Sequence, residues 1–277
     1  MMIITLISPR RGMGQTVTSI NLSALISSIT GNKTLLIDMN DKNGDISAYL
    51  SDSSITKGID DFVNMYITGV LTKDKLKMCV KKVTSNLDIM ASNTCYNIDE
   101  MLISSLIDNY SLCYPNIIID LNLSDNSLEE KLKERSDVII AVLNQTKTAV
   151  LSMAENIQMY VPFMDKLLVV INRTLPGCYA RKTSYSISCI KKDIESLGFG
   201  KHIYELEYNF NLFNECNRNH TLNFIMEGLE KQYLYVRQLK AIASGINNIS
   251  RLDNFKIQKE RHIFFPGKLI HGLVSKR

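Results

Sequence analysis

The sequence predicts an α/β fold: a doubly wound, mainly parallel sheet with helices on both faces. Apolar runs such as Asn116 to Leu121 and Val138 to Leu143 are continuous rather than alternating, which is typical of strands buried on both faces. Longer segments with helical periodicity separate these runs, and this alternation predicts parallel strands joined by crossover helices. The 277 residues, 45% hydrophobic and 22% charged, are enough for one large domain of this class.

The elements follow in chain order from these patterns. Strands are predicted at Ile3 to Ser8, Thr34 to Asp38, Leu87 to Ala91, Asn116 to Leu121, Val138 to Leu143, Lys166 to Ile171 and near His202 to Leu206. Helices are predicted at Gln15 to Thr30, Met101 to Asp108, Ala149 to Met159, Ser184 to Ser196 and Leu229 to Ile249. Because no linker or repeat precedes about residue 249, we expect one domain over residues 1–249 and a tail over residues 250–277.

Cysteine spacing and hydropathy exclude several classes of protein. The six cysteines show neither CxxC nor Cys/His ligand spacing, which argues against a zinc site and a disulfide framework. The apolar run at the amino end is too short for a signal sequence and soon reaches Pro9 and two arginines. No stretch approaches the roughly 20 apolar residues of a membrane span. The expected location is the cytoplasm.

Positive charge is concentrated in the tail. Residues 251–277 hold seven Lys or Arg against two acidic residues, an excess of +5, which leaves −1 for residues 1–250. A short helix after Pro266 would separate apolar from basic side chains, beside two phenylalanines. The tail residues concerned are Phe264, Phe265, Lys268, Leu269, Ile270, Leu273 and Val274. This pattern favours contact with a membrane surface or a protein partner; the alternatives are docking on the protein's own body and a disordered basic end.

A glycine-containing loop, "RRGMGQTV" at residues 10–17, joins the first strand to the first helix. Such a loop binds phosphate when backbone N–H groups and a helix N-terminus converge on the anion. The pattern GxxxxGK[ST] is only partly met, because Gln15 stands where lysine is expected and Thr16 where a magnesium-binding hydroxyl is expected. The alternative is a tight turn that uses glycine for backbone reasons alone.

Two carboxylates are predicted at strand ends, Asp38 in "TLLIDMN" and Asp120 in "NIIIDLN". Because ligands bind beyond the carboxyl ends of parallel strands, the loop and both carboxylates should converge on one crevice. Asp120 stands where a carboxylate would hold magnesium through water. A strand-end aspartate alone is more often a helix cap or a turn residue, but the three features together favour a nucleotide site or its remnant.

At these residues the chain resembles the ParA/MinD family of deviant-Walker P-loop ATPases, of the SIMIBI class. The family loop K-G-G-x-G-K-[ST] falls on residues 10–16, its D-x-D-x-x-x-G element on Asp38, Asn40 and Gly44, and its last motif on Asn172-Arg173. The resemblance covers roughly residues 1–245. It implies ATP or ADP with Mg²⁺, held by Arg10, Arg11, Gly12, Met13, Gly14, Gln15, Thr16, Val17, Asp38, Asp120, Asn172 and Arg173, with Thr16 and Asp120 at the metal.

Departures from the family pattern bear on activity. The resemblance implies that Arg10 keeps the charge reaching across a dimer, that Arg11 fills a glycine position, and that Gln15 cannot neutralise the β and γ phosphates. Asn40 replaces the aspartate that positions the attacking water, so no catalytic residue is assigned and hydrolysis is expected to be weak or absent. Nucleotide binding is left open.

Recognition of the base is also left open by the residues. Asn172 is the candidate for reading adenine, since its amide both donates and accepts hydrogen bonds; the alternative is a strand-end turn residue. Tyr204 and Glu205 are expected in the turn beside the base, where the family has proline.

The resemblance implies a homodimer that positions a protein complex of the pilus, secretion, division or partition type, in the cytoplasm or on the inner face of the membrane. The alternative is an active, DNA-associated partition ATPase, which the −1 charge of residues 1–250 disfavours. An iron–sulfur reductase would need cysteines that are not in the required places. A metabolic kinase or ligase would need the missing lysine.

Overall fold

The computed structural model describes residues 1–40, 46–50, 58–91, 99–180, 182–218 and 221–250. The predicted tail and Gly44 lie outside these residues. The strands are β1 Met2–Ile7, β2 Thr34–Asn40, β3 Lys81–Lys82, β4 Leu87–Met90, β5 Asn116–Asn122, β6 Val138–Asn144, β7 Leu167–Thr174 and β8 Ile203–Glu207. The α-helices are α1 Gln15–Thr30, α2 Ile46–Leu50, α3 Ile59–Ile67, α4 Lys73–Leu76, α5 Glu100–Ser111, α6 Asn126–Arg135, α7 Lys147–Glu155, α8 Gly177–Ala180, α9 Ile187–Ser196, α10 Phe210–Asn217, α11 Thr221–Lys231 and α12 Leu234–Ser250. Short 3₁₀ segments cover Lys77–Cys79, Ile157–Met159 and Val161–Lys166.

One eight-stranded sheet, in the order β3-β4-β2-β5-β1-β6-β7-β8, forms the centre of the molecule. All neighbouring strands are parallel except β3, which is antiparallel to β4. The predicted doubly wound, mainly parallel sheet is confirmed. Because β2 and β5 pair with Asp38 opposite Asp120, the two strand-end carboxylates lie side by side at the carboxyl edge of the sheet.

Two apolar layers cover the two faces of the sheet, since successive side chains of a strand point to opposite faces. In β5, Ile117 and Ile119 pack into the layer that includes Phe62 of α3 and Tyr110 of α5. Ile118 packs into the opposite layer, with α1 and α12. The continuous apolar strands therefore have the two-sided burial that their sequences predict.

Helix boundaries account for most of the differences from prediction. The single helix predicted over Leu229 to Ile249 is wrong, because the chain breaks into α11 and α12 at Gln232, whose φ is 55°. The Tyr233 amide then donates to the Gly228 carbonyl at 3.1 Å and closes the turn. The helix predicted to reach Met159 ends at Glu155, and a 3₁₀ segment follows. Among the described residues, no helix is long and apolar enough to cross a bilayer.

The placement of Tyr204 and Glu205 in a turn is also wrong, since both lie within β8. Glu205 forms an ion pair with Lys191 at 2.6 Å. Tyr204 lies against α12, where a Cβ built on Gly245 would come within 2.3 Å of the tyrosine oxygen. The strand continues to Glu207, so Tyr208 is the residue that follows it.

Candidate functional site

The backbone of the loop between β1 and α1 has the geometry of an anion site. Gly12 and Gly14 both have φ of 83°, a left-handed conformation that side chains disfavour. Gly14 is also the N-cap of α1, and it has no side chain with which to cap the helix. The amides of the first turn, at residues 15–17, have no acceptor within the helix and are available to an anion.

The loop is fixed by strand-end side chains that bind its carbonyl groups. Asn172 of β7 donates from Nδ2 to the Met13 carbonyl at 2.9 Å. Asn144 of β6 donates to the Gly12 carbonyl at 3.3 Å, and Arg173 reaches the same oxygen at 3.4 Å. A Cβ on Gly14 would lie 2.3 Å from Asn172 Nδ2, so glycine is required for this close approach.

Gln15, at the position where lysine was expected, points towards the sheet. Its Nε2 donates to Asp120 Oδ1 at 2.7 Å and to the Leu121 carbonyl at 2.9 Å, and the residue is 8% exposed. The neutral amide therefore bonds to a buried carboxylate at the end of β5. The charge of a lysine is absent, but the hydrogen bonds that connect helix α1 to the sheet are present.

Thr16 and Asn40 complete a network around the two buried carboxylates. Thr16 Oγ1 donates to Asp120 Oδ2 at 2.7 Å. Asn40 Nδ2 donates to Asp38 Oδ1 at 2.5 Å and to Asp120 Oδ2 at 3.3 Å, so one amide connects both acids. Asp38 and Asp120 have no exposed surface, and hydrogen bonding of this kind offsets the cost of burying them.

Two arginines line the cleft above the loop, and a third turns away. Arg11 and Arg173 lie in its wall, and Arg173 has an unusual positive φ of 54°. Arg10 is exposed and donates to Thr148 Oγ1 at 2.9 Å, towards the start of α7. The cleft is lined by Ser8, Arg11, Gly12, Met13, Gly14, Gln15, Thr16, Val17, Asn40, Tyr49, Asn122 and Arg173.

The residues present fit a phosphate and offer two ligands for a hard cation. The loop amides and both arginines are donors suited to phosphate oxygens. The Thr16 hydroxyl and the Asp120 carboxylate are oxygen ligands of the kind magnesium prefers. Within the described ranges, no group of three or more His, Cys, Asp or Glu could hold a metal by itself, so the phosphates would have to supply further ligands.

The structure brings together most of the site residues predicted from the sequence. Asp38 and Asp120 lie beneath the cleft rather than in its wall. The Asn172 amide nitrogen donates to a loop carbonyl, and recognition of adenine by Asn172 stays a prediction. Sequence reasoning missed Asn144, although its run "AVLN" is like the run "VVIN" of the next strand. The two asparagines pair in register.

Strand order, loop and cleft together define a P-loop type of nucleotide-binding fold. Comparison with solved structures then specifies the fold as that of the ParA/MinD ATPases. A ParA family ATPase from Chlorobium tepidum TLS superposes with a TM-score of 0.71 at 17% identity, over 88% of this chain and 97% of the other.

Two MinD structures show the same fold. The MinC:MinD cell division complex of Aquifex aeolicus gives a TM-score of 0.67 at 17% identity, over 94% of this chain and 99% of that one. The septum site-determining protein MinD of Pyrococcus horikoshii OT3, complexed with Mg-ADP, gives 0.64 at 14% identity, over 90% and 97%. No protein-family model and no curated protein matches the sequence.

Proposed function

We propose that this protein is a ParA/MinD-like protein that positions a partner complex in the cell. It binds ATP or ADP with Mg²⁺, dimerises, and hydrolyses ATP weakly or not at all. The Gln15 side chain supports this most directly. The loop retains two left-handed glycines and a helix N-terminus, while the amide of Gln15 is bonded to Asp120 at 2.7 Å. The site keeps its shape and lacks the charge of the expected lysine.

Phosphate groups would be held by the amides of residues 15–17, with Arg11 and Arg173 as the nearby cations. Bound Mg²⁺ would supply charge neutralisation between phosphate oxygens, with Thr16 and Asp120 as its protein ligands. The helix dipole adds attraction that does not depend on a side chain. These donors support binding without a lysine in the loop.

Turnover is the step that this arrangement supports poorly. Gln15 carries no positive charge to stabilise a charged transition state, and loss of one such group typically costs about 10²- to 10³-fold in rate. Asn40 presents an amide nitrogen to both Asp38 and Asp120, so it cannot take a proton from water. Both changes act on the chemical step rather than on the shape of the cleft.

The likeness in fold to ParA and MinD ATPases supports the positioning role, which is proposed with a homodimer and a localised protein partner. The proposed partner is a machine of the pilus, secretion, division or partition type. Membrane contact through the tail stays a prediction, because the tail residues lie outside the described ranges. These residues are Phe264, Phe265, Lys268, Leu269, Ile270, Leu273 and Val274.

Phosphate release from ATP tests the proposed lack of turnover. Typical enzymes turn over about 10 times per second, so a loss of about 10²- to 10³-fold predicts a rate below about 0.1 per second with Mg²⁺. Malachite-green detection on the full chain would measure it, with heat-inactivated protein as the control. A rate of several per second would instead support the active partition ATPase.

A further inference from the structure

A second surface, outside the lining of the cleft, combines exposed apolar side chains with lysines. We define the α3–β3 patch as residues 67–82 together with Leu112. Four of its apolar side chains are exposed, Ile67 by 74%, Val70 by 41%, Met78 by 54% and Leu112 by 82%, whereas Leu76, Cys79 and Val80 are buried. Exposed large apolar groups gathered in one region indicate an interaction site rather than ordinary surface.

Contacts between the underlying elements place these residues in one region of the fold. The Tyr110 hydroxyl, two residues before Leu112, donates to the Leu76 carbonyl at 2.9 Å. The Cys79 thiol, next to Met78, contacts Met65 Sδ at 3.8 Å. Four elements therefore pack against one another: α3, α4, the 3₁₀ segment Lys77–Cys79 and the end of α5.

Leu112 and the carboxyl end of α3 lie towards the amino edge of the sheet, opposite the nucleotide cleft. Leu112 precedes β5, which begins at Asn116, whereas the cleft is built at the carboxyl ends of the strands. Helix α3 starts beside Ala91, at the carboxyl end of β4, and runs away from that edge. Both surfaces can thus be occupied at the same time.

Charge sets the patch apart from the rest of the body. Residues 67–82 contain Lys73, Lys75, Lys77, Lys81 and Lys82 against Asp74 alone, a net charge of +4. Because residues 1–250 carry −1 in total, all the others in that range sum to −5. The patch is a local basic field on an acidic body, which attracts anionic surfaces.

Lysines on an edge strand have another known use, which is to prevent pairing with a foreign strand. That explanation suits Lys81 and Lys82, which form β3 at the edge of the sheet. It does not explain Ile67, Met78 or Leu112, because exposed apolar groups beside a sheet edge favour aggregation rather than prevent it. The apolar members need an occupant.

We propose that the α3–β3 patch docks on an anionic lipid bilayer, with its apolar side chains in the interface and its lysines on the headgroups. Ile67, Met78 and Leu112 are 54% to 82% exposed and protrude from the surface. Protruding side chains suit insertion into a lipid interface better than they suit a groove that binds a peptide. Nucleic acid fits less well, because residues 67–82 contain no arginine and no aromatic residue on which bases could stack.

Vesicle flotation of the full chain without nucleotide tests this proposal, and it is independent of the nucleotide site. We expect binding to phosphatidylcholine vesicles that contain one third phosphatidylserine, weak binding to pure phosphatidylcholine, and release as salt screens the lysines. Charge reversal by Lys73→Glu, Lys77→Glu and Lys82→Glu together should lower the bound fraction at least about tenfold.

Matched variants separate charge, apolar contact and folding. The triple change of the same lysines to arginine should retain binding, and Ile67→Ser with Met78→Ser and Leu112→Ser should reduce it while the lysines remain. Circular dichroism checks the fold of each variant. Unchanged flotation of the charge-reversed protein would assign lipid binding to another segment and overturn the proposal, as would stronger binding of duplex DNA than of vesicles.

Discussion

Alanine at Gly14 is expected to unfold the nucleotide loop and abolish nucleotide binding. Gly14 has a φ of 83°, and its new Cβ would lie 2.3 Å from Asn172 Nδ2, the atom that holds the Met13 carbonyl. A left-handed alanine costs about 1 kcal/mol, and forced overpacking adds about 1 to 3 kcal/mol. We therefore expect Gly14→Ala to lower the free energy of unfolding by about 2 to 4 kcal/mol, measured by urea denaturation.

Two other glycines provide matched controls for backbone strain. Gly12 has the same φ of 83°, and Gly31, at the end of α1, has 68°; a Cβ on either meets nothing within 4 Å. Gly12→Ala and Gly31→Ala should each lose only about 1 kcal/mol. Equal losses in all three variants would show that contact with Asn172 does not determine the requirement for glycine at position 14.

Lysine at position 15 is expected to strengthen nucleotide binding. A charged hydrogen bond contributes about 1.5 to 3 kcal/mol, so Gln15→Lys should tighten the Kd for Mg-ATP at least about tenfold. Turnover should stay low in this variant, because Asn40 still presents its amide to both carboxylates. Adding Asn40→Asp to the lysine variant should raise phosphate release above that of either single variant.

Methionine at position 15 controls for the shape of the side chain. Gln15→Met keeps the length but removes the donor to Asp120 and Leu121, at 2.7 and 2.9 Å, and should cost about 1 to 3 kcal/mol of stability. Its affinity for nucleotide should not exceed that of the unmodified chain. Equal affinity of the lysine and methionine variants would refute the importance of the missing charge.

Sequence patterns predicted the sheet well, because strands buried on both faces must be continuously apolar. Six of the eight strands correspond to runs such as Asn116–Asn122, and a seventh, Ile203–Glu207, to the further candidate. Only Lys81–Lys82 was missed, since two lysines at an edge carry no apolar signal. The break at Gln232 was missed because its left-handed conformation is rare for glutamine, and the apolar period continues on both sides.

The candidate site was predicted in composition but not in its internal connections. Spacing placed Gly12, Gly14 and Thr16 in a loop, and strand ends placed Asp38 and Asp120 beside it. The direction of the Gln15 side chain could not be predicted, because it depends on how helix α1 sits against β5. The same holds for Asn144 and Asn172, whose bonds to loop carbonyls require the register of β6 with β7.

Isothermal titration of the full chain with ATP and with ADP, each with Mg²⁺, tests most directly whether the cleft binds nucleotide without a loop lysine. We expect saturable binding with a Kd below about 100 µM, since the loop amides, Arg11 and Arg173 remain. Absence of heat at millimolar nucleotide would contradict it, and the fold would then serve as a docking platform whose loop has lost its ligand.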